Sequence, residues 1–105
     1  MANAVELAPV AYETVAAGQT GQIIGSASAA KGDTMVGILV IPATTSPGNV
    51  LLLDGASSIT VFAGGSSSVL TLHPFLIPLG MKSVNGPWSI TTGSNVSAIA
   101  MGSFN

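Results

Sequence analysis

The feature that most constrains the fold of this chain is the regular interruption of short apolar or alternating runs by clusters of Gly, Ser, Asn and Pro. Short runs rich in Val, Ile, Leu and Thr with such boundaries are typical of β-strands. The runs cover residues 5–15, 22–29, 35–41, 50–53, 57–63, 68–79, 88–92 and 96–104. They predict an all-β fold, an antiparallel β-sandwich or a small barrel, with about seven to nine short strands. No break in composition divides the chain, so we expect a single β-sandwich domain over residues 1–105.

Helices have little support in the sequence. The best candidate, residues 10–17, contains the β-branched Thr14 and Val15 and ends at Gly18. Such residues lower helix propensity. Short helical turns near the N-terminus stay open, and residues 1–12 could form an N-terminal arm.

Two kinds of turn signal refine this expectation. Asp54-Gly55 between two β-type runs predicts a tight hairpin, because glycine adopts positive φ at no steric cost. Pro74 and Pro78 cannot donate a backbone hydrogen bond to a neighbouring strand. They predict an edge strand or a bend, where the chain could cross from one sheet to the other.

Two segments of the chain resemble each other. IPATTSPGNV (41–50) and ITTGSNV (90–96) both combine a strand end, Thr-Thr, a glycine turn with Asn, and Val. Two similar corners of a pseudo-symmetric sandwich would explain the similarity. Chance would also explain it, since the chain is rich in Ser, Thr and Gly.

The charge content is very low. Only 6% of residues are charged, with two basic residues, four acids and a net charge of −2. Ordinary globular proteins carry about 25% charged residues. So few basic residues argue against a phosphate-binding or nucleic-acid surface, and the absence of cysteine excludes disulfides and thiolate metal sites. Because so few residues are charged, we expect much of the surface to be buried against other chains.

Residues 34–53 are free of charge over about the length of a membrane-spanning helix. Pro42, Pro47 and Gly48 divide it into two short pieces, neither of which could span as a helix. At the N-terminus, Glu6 precedes any basic residue, and no apolar run resembles that of a signal peptide. The expectation is a soluble, untargeted protein without a membrane partner.

The side chains that could carry chemistry are few and scattered. Metal sites usually need three or four clustered His, Cys or carboxylate ligands, and the single histidine and dispersed acids offer no such set. No serine lies in a Gly-x-Ser-x-Gly elbow. The candidates are Glu6, Tyr12, Glu13, Lys31, Asp33, Asp54, His73 and Lys82. We predict that the protein is not an enzyme and has no catalytic, cofactor-binding or metal-binding residue.

The aromatic residues and the histidine are the candidates for contacts with partners. Core packing is the simpler interpretation of Trp88, which begins a strand, and an interface anchor or a sugar-stacking platform is the alternative. The predicted interface residues are Tyr12, His73, Phe75, Trp88 and Phe104.

Three segments together resemble a known kind of protein: GILVIPATTSPGNV (37–50), VLLLDGASSITVFAGG (50–65) and GPWSITTGSNVSAIAMGSF (86–104). The chain is similar to small virion proteins of tailed bacteriophages, of the head decoration or cement type. The resemblance implies a small β-sandwich or jelly roll that sits as a homotrimer on the capsid exterior. It also implies binding to the major capsid protein, stabilisation of the junctions between capsomers, and synthesis in the host cytoplasm. It supplies no catalytic residues, and residues 1–12 are shorter and more apolar than the charged arms of some such proteins.

Two other functions stay open. One is a phage tail or fibre component, which would use similar surfaces at another place in the virion. The other is a carbohydrate-binding β-sandwich module with Trp88 or Tyr12 as a stacking platform.

Overall fold

The computed structural model describes residues 11–25 and 31–104, which contain eight β-strands and no helix. The predicted all-β class and strand number are confirmed. Residues 11 and 12 of the predicted arm belong to the first strand, and residues 1–10 lie outside the described residues. The strands are β1 (Ala11–Val15), β2 (Gln22–Ile23), β3 (Thr34–Pro42), β4 (Val50–Asp54), β5 (Ser57–Phe62), β6 (Phe75–Lys82), β7 (Trp88–Thr92) and β8 (Val96–Ser103).

The strands form two four-stranded antiparallel sheets. Sheet A has the order β1-β8-β3-β6, and sheet B has the order β2-β7-β4-β5. Within these sheets β1 pairs with β8, β2 with β7, β3 with β6 and β4 with β5. The chain therefore runs as one long antiparallel ribbon, β1 to β4 against β8 to β5, rolled into two layers. This is the topology of a jelly roll.

The core fills the space between the sheets. Along β8, Val96, Ala98 and Ala100 are fully buried, while the residues between them are half-exposed, because successive side chains of a strand point to opposite faces. Each fully buried aliphatic side chain contributes about 1.5–3 kcal/mol. The buried core consists of Val15, Ile24, Met35, Ile38, Val40, Val50, Leu52, Trp88, Ile90, Val96, Ala98 and Ala100.

The run at residues 68–79 is not one continuous strand, contrary to the expectation from its composition. Strand β6 begins at Phe75, directly after Pro74, and residues 63–74 connect β5 in sheet B to β6 in sheet A. The predicted crossing between sheets is thus confirmed. Pro78 lies within β6, which is an edge strand, as the missing N–H of proline requires.

The hairpin predicted from Asp54-Gly55 is also confirmed. Asp54 pairs with Ser57 across a two-residue turn, in which Gly55 has a φ of 61°. Glycine at the first position of such a turn matches the twist of the two strands.

The two similar segments occupy adjacent corners of the molecule, the β3–β4 and β7–β8 connections. The Gly48 N–H donates to the carbonyl of Ser94 over 2.8 Å, and the Gly93 N–H donates to the carbonyl of Asn49 over 2.8 Å. The similarity therefore has a structural counterpart in two corners that bond to each other.

Candidate interaction surface

The outer side of sheet A carries a contiguous group of apolar side chains. Residues directly opposite each other on antiparallel strands share a face of the sheet. One row across the sheet runs Thr14–Ile99–Leu39–Leu76, the next runs Tyr12–Met101–Gly37–Pro78, and Ile41 lies beside Ser97. We define the apolar face as Tyr12, Leu39, Ile41, Leu76, Pro78, Ile99 and Met101.

The side chains of the apolar face are accessible and uncharged. At its two sides, Tyr12 is 73% exposed and Leu76 is 53% exposed. Between them, the Leu76 and Met101 side chains close over Gly37, where an added β-carbon would lie 3.2 Å and 3.9 Å from their terminal carbons. The face is therefore continuous across the position that has no side chain.

The dimensions of the apolar face are those of a small contact site. Strands spaced about 4.8 Å apart, with a rise of about 3.4 Å per residue and an outward side chain at every second residue, give four strands and three rows of side chains an area of roughly 300–400 Å². Apolar patches of about this size on soluble monomers are often functional. The area is about half of the roughly 800 Å² that each partner buries in a standard stable interface.

The two ends of the sandwich differ in charge. Four connections, residues 16–21, 43–49, 63–74 and 93–95, lie at one end and contain no Asp, Glu, Lys or Arg. We call this the neutral end. Lys31, Asp33, Asp54 and Lys82 lie at the opposite end, so of the charged residues in the described ranges only Glu13 lies elsewhere.

The longest connection at the neutral end displays leucine on an ordered backbone. Leu70 is 92% exposed, and Leu72 is also exposed. The Gly65 N–H donates to the Pro47 carbonyl over 2.8 Å, and the Ser67 N–H donates to the Ser46 hydroxyl over 2.9 Å. The connection is thus held against residues 43–49 while its apolar tip faces solvent.

Asp54 serves the fold. Its carboxylate accepts hydrogen bonds from the backbone N–H groups of Val84, Asn85 and Gly86 at 3.0, 3.0 and 3.3 Å. Burial by itself would raise the pKa of Asp54, but the three donors outweigh it and hold this pKa below its ordinary value. The side chain therefore anchors the β6–β7 connection to the end of β4.

Glu13 also bonds to its own chain. Its two carboxylate oxygens accept hydrogen bonds from the Gln22 side chain and the Gly25 N–H, each at 2.8 Å. These bonds tie β1 of sheet A to the segment of β2 in sheet B.

Within the described ranges there is no cavity and no group of three or more His, Cys, Asp or Glu that could hold a metal ion.

The structure does not bring the five predicted interface residues together. Tyr12 lies on the apolar face, and His73 is exposed in the connection 63–74. Phe75 is half-buried and packs edge-to-face on Phe62, with the ring centroids 5.3 Å apart, and Phe104 is half-buried against the core.

Trp88 is a core residue. It is only 2% exposed, and its Nε1–H donates to the Asp33 carbonyl over 2.9 Å. The side chain is therefore not accessible to a protein partner or a sugar, which leaves Tyr12 as the aromatic platform of the carbohydrate alternative.

The sequence contains a signal for the apolar face that is not found by predicting interface residues from the aromatic side chains and the histidine. In residues 38–41 and 98–101, apolar side chains occupy both sets of alternating positions. A strand with only one buried face normally alternates between apolar and polar residues. Ile99, Leu39 and Met101 break this rule, and they form the centre of the apolar face.

Comparisons with protein-family models, curated proteins and solved structures give no match for this chain. A search of the described residues finds no helix with the length and hydropathy needed to cross a membrane.

Proposed function

We propose that this protein is a virion structural protein, a capsid decoration or cement protein. It binds the major capsid protein on the capsid exterior through the apolar face, as a homo-oligomer, and stabilises the junctions between capsomers. The observation that carries this proposal is the uncharged apolar face on the outer side of sheet A, where Ile99, Leu39 and Leu76 lie side by side. The homotrimer implied by the resemblance stays a prediction.

The low charge of the face supports permanent burial against a partner. Removing a charge from water costs free energy unless that charge is paired, whereas apolar side chains gain free energy on burial. Tyr12, Met101 and Pro78 share one row of the face, and the pairing of strands already provides backbone hydrogen bonds beneath them. A partner surface can therefore cover this face without burying an unpaired charge.

The size of the face supports repeated contacts. A contact of roughly 300–400 Å² is smaller than the interfaces that hold single pairs of proteins together. An oligomer that makes several such contacts at once gains effective concentration, which strengthens binding by a factor of about 10²–10⁴. A capsid offers the same binding surface at many regularly spaced positions.

The first experiment is to count the protein in purified virions by quantitative mass spectrometry. Hundreds of copies per particle support a decoration role. A few copies per particle indicate the tail or fibre alternative, and absence from the virion overturns the proposal. Binding on a glycan array that depends on Tyr12 would instead favour the carbohydrate alternative.

The second experiment tests the face itself, with capsids assembled without this protein. Leu76→Lys places a charge on the apolar face. Val84→Lys places the same charge on a residue that is 66% exposed in the β6–β7 connection, at the end of the sandwich opposite the neutral end. We expect Leu76→Lys to weaken capsid binding by about tenfold or more, since burying an unpaired charge is costly. Val84→Lys should bind like the wild type. Equal binding by both variants would contradict the assignment of the face.

A further inference from the structure

Within the described residues the sandwich has four edge strands, β1 and β6 in sheet A and β2 and β5 in sheet B. An edge strand presents backbone N–H and C=O groups without a partner, so it can pair with a strand of another chain. Natural proteins usually protect such edges with proline, charged residues, very short strands or covering side chains. The edges of this molecule differ in whether they have that protection.

Three edges carry a protecting feature. Strand β6 contains Pro78 and ends at Lys82. On β1, the Gln22 side chain donates to the Thr14 carbonyl over 3.1 Å, which occupies part of the edge. Strand β2 is only two residues long.

Strand β5 has none of these protecting residues. Its six residues, SSITVF, include no proline, no glycine and no charge. Isoleucine, threonine, valine and phenylalanine all favour extended structure. The strand pairs with β4 without interruption from Ser57 to Thr60, and a bulge at Val61 bends only its far end. No strand of the described ranges pairs with its other side.

We propose that β5 pairs with β5 of a second copy of this chain, antiparallel and about a two-fold axis perpendicular to sheet B. The two sheets then join into one eight-stranded sheet. Such a contact uses the same surface on both copies, so the surface must be compatible with itself. Strand β5 meets this condition because it carries no charge, so no like charges oppose each other across the axis.

The chemistry of the paired residues also favours a second copy. Ser58 and Thr60 lie on the outer face of sheet B, opposite Leu53 and Leu51 of β4, and Ile59 lies on the inner face, opposite Leu52. With the axis perpendicular to the sheet, outer-face residues oppose outer-face residues. Positions 58 and 60 therefore face positions 58 or 60 of the second copy, as small hydroxyl pairs that stabilise a sheet.

The pairing has a consequence for capsid binding, which rests on the proposed function. A two-fold axis perpendicular to sheet B places sheet A of both copies on the same side of the joined sheet. The two apolar faces then point in one direction and together offer roughly 600–800 Å², close to one side of a standard interface. The pair could engage one capsid surface with both faces.

Matched charge variants test the pairing in solution. The lysine variant combines Ser58→Lys with Thr60→Lys, and the glutamate variant combines Ser58→Glu with Thr60→Glu. We expect the wild type to have twice the mass of either variant in sedimentation or light scattering, because like charges would oppose each other across the axis. An equimolar mixture of the two variants should restore the wild-type mass, which an unfolded variant could not do.

A control variant with Ser66→Lys and Ser68→Lys adds the same charges at the same spacing on exposed residues of the connection 63–74. It should keep the wild-type mass. The proposal is overturned if the wild type and the lysine variant of β5 have the same mass, or if the mixture stays at half mass. The copy number in virions is measured independently, so failure of the pairing and failure of the decoration role are distinguishable.

Discussion

Gly48 and Gly93 lie in direct contact at the neutral end, where a β-carbon on either residue would lie 2.8 Å from the α-carbon of the other. A β-carbon on Gly64 would overlap the carbonyl oxygens of Pro47 and Gly48. Three connections thus pack backbone against backbone at this corner. Glycine is needed at these three positions because a β-carbon would have no room. The backbone conformation does not require it, since Gly48, Gly64 and Gly93 do not have positive φ.

Gly93→Ala should destabilise the protein. The added methyl group meets backbone atoms of Gly48 and Asn49, which cannot move aside as a flexible side chain would. We expect the free energy of unfolding to fall by about 2–3 kcal/mol, at the upper end for overpacking. Urea denaturation measures the change. Ser94→Ala, at an exposed neighbouring residue, should stay within about 0.5 kcal/mol of the wild type, and equal stability of the two variants would contradict the packed corner.

Asp54→Asn should destabilise the protein and reduce its sensitivity to acid. The amide keeps one acceptor oxygen but turns an NH₂ group toward a backbone N–H, so we expect a loss of roughly 2–3 kcal/mol at neutral pH. The pKa of Asp54 is lowered in the folded state from 3.8. The stabilisation by the carboxylate is therefore fully present above pH 3.8 and is lost as the pH falls through the lower, folded pKa.

The check is the free energy of unfolding of both proteins at neutral pH and at about pH 2. The difference between wild type and Asp54→Asn should shrink in acid, because the wild-type carboxyl becomes protonated. A difference that stays constant with pH would show that the charge of Asp54 does not stabilise the β6–β7 connection.

Trp88→Phe should lower stability without affecting capsid binding. The smaller ring leaves a cavity and removes the hydrogen bond to the Asp33 carbonyl, which still accepts one from the Ser83 N–H. We expect a loss of about 2 kcal/mol. Trp88 is the single tryptophan, so the wild-type emission should be that of a buried indole and shift to longer wavelength on unfolding. A capsid-binding defect at unchanged stability would contradict the core assignment.

Binding to the capsid should depend little on salt. The apolar face contains no charged side chain, so the contact includes no ion pair that salt could screen between about 0.05 and 0.5 M. We expect the affinity to change by less than about threefold with sodium chloride and to increase with sulfate, which strengthens apolar burial. Titrations at several salt concentrations measure this. A steep loss of affinity with sodium chloride would indicate that the contact lies at the end that carries Lys31 and Lys82.

The strand pattern was predictable because its signals are local. Turn residues require particular backbone conformations, so Asp54-Gly55 located a hairpin and Pro78 located an edge strand without knowledge of the rest of the fold. Composition was a poorer guide at residues 68–74, where it predicted a strand but the chain forms a connection. Their backbone bonds to residues 43–49, such as Val69 N–H to the Thr45 carbonyl at 3.3 Å, offered an alternative to a sheet.

The all-β class and the low charge follow directly from the sequence, since strand runs, turn residues and composition are properties of short segments. Which apolar residues form the core and which form the apolar face depends on how the strands pair and how the two sheets pack. Thr14 meets Ile99, and Ile99 meets Leu39, through pairings that join distant parts of the chain. Alternation along a strand defines two faces, but the packing of one sheet on the other determines which face is buried.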